Sequence, residues 1–275
     1  MKILIVGDVV GRSGRNAVAR HLPALREELA LDFVVVNGEN AAHGFGITEA
    51  ICNDLYRNGA DAITTGNHVW DQREIMNYID GDARLLRPLN FPEGTPGKGA
   101  ATFETKDGRR VMVVHAMCRL FMDPLDDPFA GVEEALKNQR LGGKDGGGSV
   151  DAILLDFHGE ASSEKMAMAH FLDGRVSAVV GTHTHVPTAD AQVLKGGTAY
   201  QTDLGMTGDY DSVIGMQKEA ATARFTTKLP QGRLEPAEGE ATFCAMYLET
   251  DDRTGLAVRA EPVRLGGRLA DARPT

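Results

Sequence analysis

Short apolar runs rich in β-branched residues alternate along this chain with stretches whose apolar residues recur at helical spacing. The runs are Ile3 to Val6, Phe33 to Val36, Ala62 to Thr65, Val111 to Val114, Ala152 to Phe157 and Val176 to Val180. Such alternation predicts an α/β fold, a parallel or mixed sheet covered by helices. Between the runs, Val18, Leu22, Leu25 and Leu29 fall on one helical stripe, which Pro23 is expected to kink or divide. Ile51, Cys52, Leu55 and Tyr56 make a second stripe closed by Gly59. Asp71 with Glu74 three residues later reads as an N-cap and its capping-box partner, opening a helix through Ile75, Met76 and Ile79.

Two stretches break the periodicity. RPLNFPEGTPGKG at 87–99 has the Pro and Gly content of an ordered surface loop, with Lys98 part of its turn chemistry. GGKDGGGS at 142–149 is the one low-complexity segment, expected to be a flexible excursion between a helix near Val132 to Gln139 and the next strand. After Lys228 two long apolar alternations, Ala241 to Glu249 and Leu256 to Leu265, flank Asp-Asp-Arg-Thr-Gly and predict an antiparallel hairpin on the sheet. No composition shift forces a split, so a single domain over 1–275 is expected, with residues 270–275 a frayed tail.

Composition narrows the function. With 29 Lys plus Arg against 39 Asp plus Glu, the net charge is −10 and no basic run occurs, which disfavours a protein that coats nucleic acid. The N-terminal apolar stretch is too short for a signal peptide, and no later run would span a bilayer, so a cytoplasmic, membrane-free protein is expected. Cys52, Cys118 and Cys244 show no pairing or metal spacing and read as reduced, buried hydrophobes. The pattern leaves a homo-oligomer open.

Chemistry gathers where the strands end. Ile3 to Val6 runs into Gly7-Asp8, Phe33 to Val36 into Asn37-Gly38-Glu39-Asn40, and Ala62 to Thr65 into Gly66-Asn67-His68; Ala152 to Phe157 runs into His158-Gly159-Glu160, and Val176 to Val180 into Gly181-Thr182-His183-Thr184-His185. Ligand sites of α/β folds form at the carboxyl ends of strands, so these residues are expected on one rim. Oxygen and imidazole donors without thiolate suit Mn, Fe or Zn. Singly each has a plainer reading: Asp8 could cap the helix near Ser13, and Glu39 or Asn67 could serve a turn. His-x-His after a buried strand is harder to explain without a metal or partner. Gly7 to Ser13 approaches a phosphate-binding loop, but its glycine spacing is one short and Arg12 stands where Lys is required. His115 reads as a satisfied strand-end histidine, and His21 and His170 as surface or packing residues.

The order Asp8, Gly38-Glu39-Asn40, Gly66-Asn67-His68, His158 and Gly181-x-His183-x-His185 resembles the calcineurin-like metallophosphoesterase superfamily. GDVVGRSGR at 7–15, NGENAAHG at 37–44, GNHVWD at 66–71, LNFPEGTPGKG at 89–99, LDDPF at 125–129, DFHGEASSEK at 156–165 and VVGTHTHVPTAD at 179–190 are similar to the bacterial YmdB-like phosphodiesterases, a likeness read from Met1 to about Pro230. Val10 replaces the superfamily's first-block His and Glu39 its bridging Asp, both features of that subgroup.

The resemblance implies a sandwich of mixed sheets flanked by helices and a site with two transition-metal ions, Fe or Mn foremost and Zn as a further fit. It implies that Asp8, Asn40 and His185 hold one ion, that Asn67, His158 and His183 hold the other, and that Glu39 bridges. A metal-bridging hydroxide would attack, and His68 would be the general acid. The implied substrates are small cyclic nucleotides: 2',3'-cyclic nucleotides opened to 3'-nucleotides, 3',5'-cyclic AMP, or both. A phosphomonoesterase on a small metabolite, or a nucleotide- or RNA-binding regulator with a retained metal site, are the alternatives. Arg12 and His43 are candidate wall or phosphate contacts. Two divalent ions against Asp8 and Glu39 would leave the site roughly +2, a local positive source inside an acidic protein.

Overall fold

The apolar runs form strands because nearly every residue in them is out of water on both faces. The computed structural model describes residues 1–143, 147–229 and 232–274, so part of the excursion at 142–149 lies outside the described residues. Lys2–Val6 (β1), Phe33–Asn37 (β3) and Ala62–Thr64 (β4) pair in parallel. Leu85–Leu86 (β5) extends them beyond β4. On the other side of β1 the sheet continues antiparallel through Ala241–Thr250 (β13) and Ala257–Leu265 (β14), the C-terminal hairpin. Asp8–Val9 (β2) and Met206–Asp209 (β12) complete it beside β13.

A second sheet is built on the parallel strands Arg110–Met117 (β7), Ala152–His158 (β8) and Ala178–Thr182 (β9). Its edges are Ala100–Glu104 (β6) on one side, and Ala199–Gln201 (β11) followed by Gln192–Val193 (β10) on the other.

Alternation along the strands assigns the layers. Ile3, Ile5, Phe33 and Val35 pack against Val111, Val113, Leu154 and Val180 in a core between the sheets. Leu4, Val6, Val34 and Val36 point the other way, onto Val18, Leu22 and Leu25 of Gly11–Glu28 (α1) and the apolar stripe of Glu49–Arg57 (α2). The outer face of the second sheet is covered by Pro128–Leu136 (α4) and Ser162–Leu172 (α5). The result is the expected pair of mixed sheets flanked by helices. Among the described residues no helix is long and apolar enough to cross a membrane, and all three cysteines are free and buried.

Several local expectations are corrected. α1 runs through Pro23 without division, because Pro23 and Ala19, whose carbonyl it leaves unpaired, are exposed to water. Its N-cap is Val10 with no side-chain bond, so Asp8 is not a helix cap. The helix after Asp71 shrinks to Ile75–Tyr78 (α3), whose N-cap Glu74 makes no capping bond; the Asp71 carboxylate goes to His68. His115 is only half satisfied: Nδ1 donates to the Asp156 carbonyl, while Nε2 has no partner among the described residues. Within the expected tail, Ala272 exchanges two backbone hydrogen bonds with Arg264; Thr275 lies outside the described residues. Lys218–Thr226 (α6), a short helix, has no sequence forecast at all.

Candidate metal centre

Strand direction puts the chemistry together. The carboxyl ends of β1, β3 and β4 meet those of β8 and β9 across the sandwich, so the two sheets each supply part of one cluster. Asp8, Glu39, Asn40, Asn67 and His68 come from the first sheet, and His158, His183 and His185 from the second. Asp8 and His158 are wholly buried, and Glu39, Asn40 and His185 nearly so.

His158 is the hub. Thr182 Oγ1 gives its single proton to Asp156 Oδ1 at 2.6 Å, so it must accept from His158 Nδ1 at 2.9 Å. The other ring nitrogen, Nε2, then faces Glu39 Oε2 at 2.8 Å, Asn67 Oδ1 at 3.1 Å and His183 Nδ1 at 3.2 Å. One proton on Nε2 cannot satisfy both oxygens, with a second imidazole nitrogen beside them. A convergence of lone pairs inside the protein is the arrangement a cation resolves. Glu39, His158 and His183 each bring a ligand atom within 4.8 Å of the others.

The second group is looser. Asn40 Nδ2 lies 3.0 Å from His185 Nε2, and His185 Nδ1 donates to the Ile214 carbonyl at 2.8 Å. Asp8 accepts the backbone N–H of His183 at 3.1 Å through Oδ2. Its Oδ1 and the Oδ1 of Asn40 are buried and have no hydrogen-bond partner among the described residues. Orphaned oxygens of this kind, beside hard and borderline donors, fit a transition metal.

Protonation reports the same field. Burial disfavours the imidazolium of His158, but the charge and hydrogen bond of Glu39, with Asp8 and Asp156 beyond, push it up to about 9. Burial likewise opposes ionisation of Glu39, yet His158 and His68 hold its carboxyl well below the usual range. Asp8 is raised to about 7, by burial first, against the pull of His185 and His158. His183 is lowered to about 3 by burial and by His158, which keeps it neutral and its lone pair available.

The backbone is shaped to this purpose. A Cβ on Gly66 would collide with His158 Nε2 and sit 2.5 Å from the Glu39 carboxyl, so only glycine fits between Thr65 and Asn67. His183 and His185 hold φ of 101° and 66°, a left-handed turn rare for side-chain-bearing residues. Two buried groups without a forecast role support them. Asp156 accepts from Asn37, Thr64 and Thr182, linking both sheets beneath the cluster. Lys165 of α5 is fully buried, donates to Thr182 O at 2.8 Å and pairs with Asp203 at 2.9 Å; Asp203 in turn accepts the Thr184 N–H at 3.0 Å. A charged residue embedded in an apolar strand, as Asp156 is, was the available signal; nothing in the α5 sequence distinguishes Lys165 from a solvated lysine.

A cavity of about 290 Å³ opens over the cluster. Glu39, Asn40, His183 and His185 floor it, and His68 stands at its side. His68 Nδ1 is 2.8 Å from Asp71 Oδ2, its ring meets the Phe45 ring edge-on at 5.1 Å, and its backbone N–H donates to Glu39 at 2.9 Å. Arg12 is not brought to this cavity; it is exposed and lines a separate cleft with Arg20, His21 and Glu240. His43 lines a neighbouring hollow with Arg233 and Glu235.

The chain matches the model of a family described as YmdB-like protein over residues 4–263, so the likeness continues through the C-terminal hairpin instead of stopping near Pro230. It is 48% identical over 263 residues to the 2',3'-cyclic-nucleotide 2'-phosphodiesterase of Bacillus subtilis (strain 168), covering 96% of each chain. A crystal structure of a hypothetical protein from Thermus thermophilus is similar at TM-score 0.88 and 43% identity over 100% of both chains. The structure of a novel phosphatase from Mycoplasma pneumoniae is similar at TM-score 0.87 and 31% identity, over 96% of this chain and 93% of that one.

Proposed function

Because this chain belongs to the YmdB-like family, we propose that it is a metal-dependent phosphodiesterase that opens 2',3'-cyclic nucleotides to 3'-nucleotides, with 3',5'-cyclic AMP as a second substrate. The observation that carries this reading is the convergence of Glu39 Oε2, Asn67 Oδ1 and His183 Nδ1 on His158 Nε2, with Glu39 and His183 lining a small cavity. Asn67, His158 and His183 would hold one ion, Asp8, Asn40 and His185 the other, and Glu39 both. Two transition-metal ions, Fe or Mn with Zn as a further fit, would when bound polarise the phosphoryl oxygens and supply a nucleophile at neutral pH.

His68 supplies the proton. Asp71 occupies its Nδ1, so Nε2 is the atom left to donate to the departing 2' oxygen. The Phe45 ring and the Glu39 bond to its backbone fix its position relative to the cluster. Nothing further is demanded of the chain, since phosphoryl transfer depends on positioning and charge.

The test is metal content of the purified protein followed by turnover of bis(p-nitrophenyl) phosphate, p-nitrophenyl phosphate and the 2',3'- and 3',5'-cyclic nucleotides, with product analysis. Diester hydrolysis yielding 3'-nucleotides supports the reading. The Mycoplasma pneumoniae structure is described as that of a phosphatase, which favours phosphomonoester hydrolysis as the second reading, and preference for the monoester would establish that one instead.

A further inference from the structure

We infer that Ile214, at the tip of a tight hairpin over the metal-ligand cluster, recognises the nucleoside part of the substrate through its side chain; the substrate class rests on the phosphodiesterase reading above. Val213 and Met216 exchange backbone hydrogen bonds of 2.9 and 3.0 Å, leaving Ile214 and Gly215 as the two central residues. Both have positive φ, 46° and 93°. Turns of this kind are normally occupied by Asn, Asp or Gly, and a β-branched residue there is a genuine outlier.

Gly215 has a packing reason, because a Cβ would lie 2.8 Å from Val10 Cγ1. Ile214 has none among the described residues. The residue is 56% exposed, so burial does not reward the strained backbone. Its carbonyl orients His185, but any residue supplies a carbonyl. Strain retained at a site points to a contact made only when the site is filled.

The cavity says what that contact is. Its floor of Glu39, Asn40, His183 and His185 is polar, and His68, Glu160 and Thr184 add polar groups to the lining, whereas Phe45, Ile214, Met216 and Leu234 form its apolar part, the wall. A phosphoryl group belongs on the floor, so the wall meets the group attached to it. The side chains of this wall offer no hydrogen-bond donor or strong acceptor to read a base edge. It would therefore hold the flat face of a base, purine or pyrimidine alike.

Ile214→Gly and Ile214→Asn test this. Both relieve the backbone and keep the carbonyl, so metal content should be unchanged and Tm should rise by a few degrees. KM for 2',3'-cyclic AMP and 2',3'-cyclic CMP should rise roughly tenfold with the loss concentrated in KM, as expected for an apolar contact of this size. Affinity for 3'-AMP by calorimetry should weaken in parallel, and the penalty should vanish with 1,2-cyclic glycerol phosphate, which has no base. A higher Tm with unchanged KM and 3'-AMP affinity overturns the inference, as does an equal penalty on the base-free substrate. If the wild-type protein hydrolyses no phosphodiester, the functional reading fails, while 3'-AMP binding by wild type and variants still decides the role of Ile214.

Discussion

Buried behind Glu39 and His183 of the cavity lining, His158 holds a proton that a cation would replace. Its pKa is raised from 6.5 to about 9 in the folded chain, so the stability it confers on the metal-free protein is complete below pH 6.5 and is lost as pH rises through 9. Chelator-treated protein should consequently melt at lower temperature at pH 9 than at pH 6.5, and metal should bind more tightly over the same interval because it no longer competes with that proton. Melting curves with and without metal at the two pH values check both. His68 belongs to a different step: His68→Ala should keep its metals and lose about a hundredfold or more of turnover, whereas Asp8→Ala should lose metal as well. Elemental analysis beside steady-state kinetics separates them, and full activity of a metal-loaded His68 variant would remove it from the mechanism. Asp8, Glu39, His158 and the histidine pair stand in the sequence as residues after apolar runs. The roles of Asp71 and Ile214 do not, because they depend on which side chain each faces across a turn.

Among the elements, the turn after β9 depends on support from elsewhere. Lys165 on α5 and Asp203 after β11 are both fully buried and clamp the segment that carries His183 and His185. Removing one partner leaves an uncompensated charge, and Lys165→Met or Asp203→Asn alone should cost about 3–5 kcal/mol of stability. Urea unfolding of the single variants and of the double variant measures this, with the double less harmful than the sum of the singles. Gly66→Ala tests the turn after β4: the added methyl would meet His158 and Glu39 in the cluster, so metal occupancy should fall while the far-ultraviolet circular dichroism is retained. The strands of the two parallel cores were legible because a run of apolar β-branched residues has few other solutions. The capping box at Asp71 was not what it resembled, since a carboxylate three residues from a histidine has a competing partner within reach. α6 and the short edge strands lack periodicity and are held by their neighbours instead.

For the molecule as a whole, the C-terminal hairpin is a central part of the first sheet. β13 pairs with β1 over five residues and also with β12 and β14, and Met246 and Leu248 reach into the core between the sheets. A chain ending at Lys228 should therefore fail to fold, leaving β1 without its antiparallel partner, rather than yield a trimmed enzyme; circular dichroism and solubility of that truncation decide it. The charge of −10 bears on partners in the same global way. It opposes a long polyanion lying across the surface, while a small anion meets only the cavity and whatever cations its floor holds. By itself the sequence determined the strands, the helices that cover them and the donor-rich residues at the strand ends, because hydrophobic periodicity and local turn chemistry are short-range. The tertiary structure alone decided that these ends belong to two sheets facing each other. It also decided that buried Lys165 and Asp156 support them, and that Arg12 lies elsewhere, since contacts between residues a hundred or more positions apart leave no periodic trace in the chain.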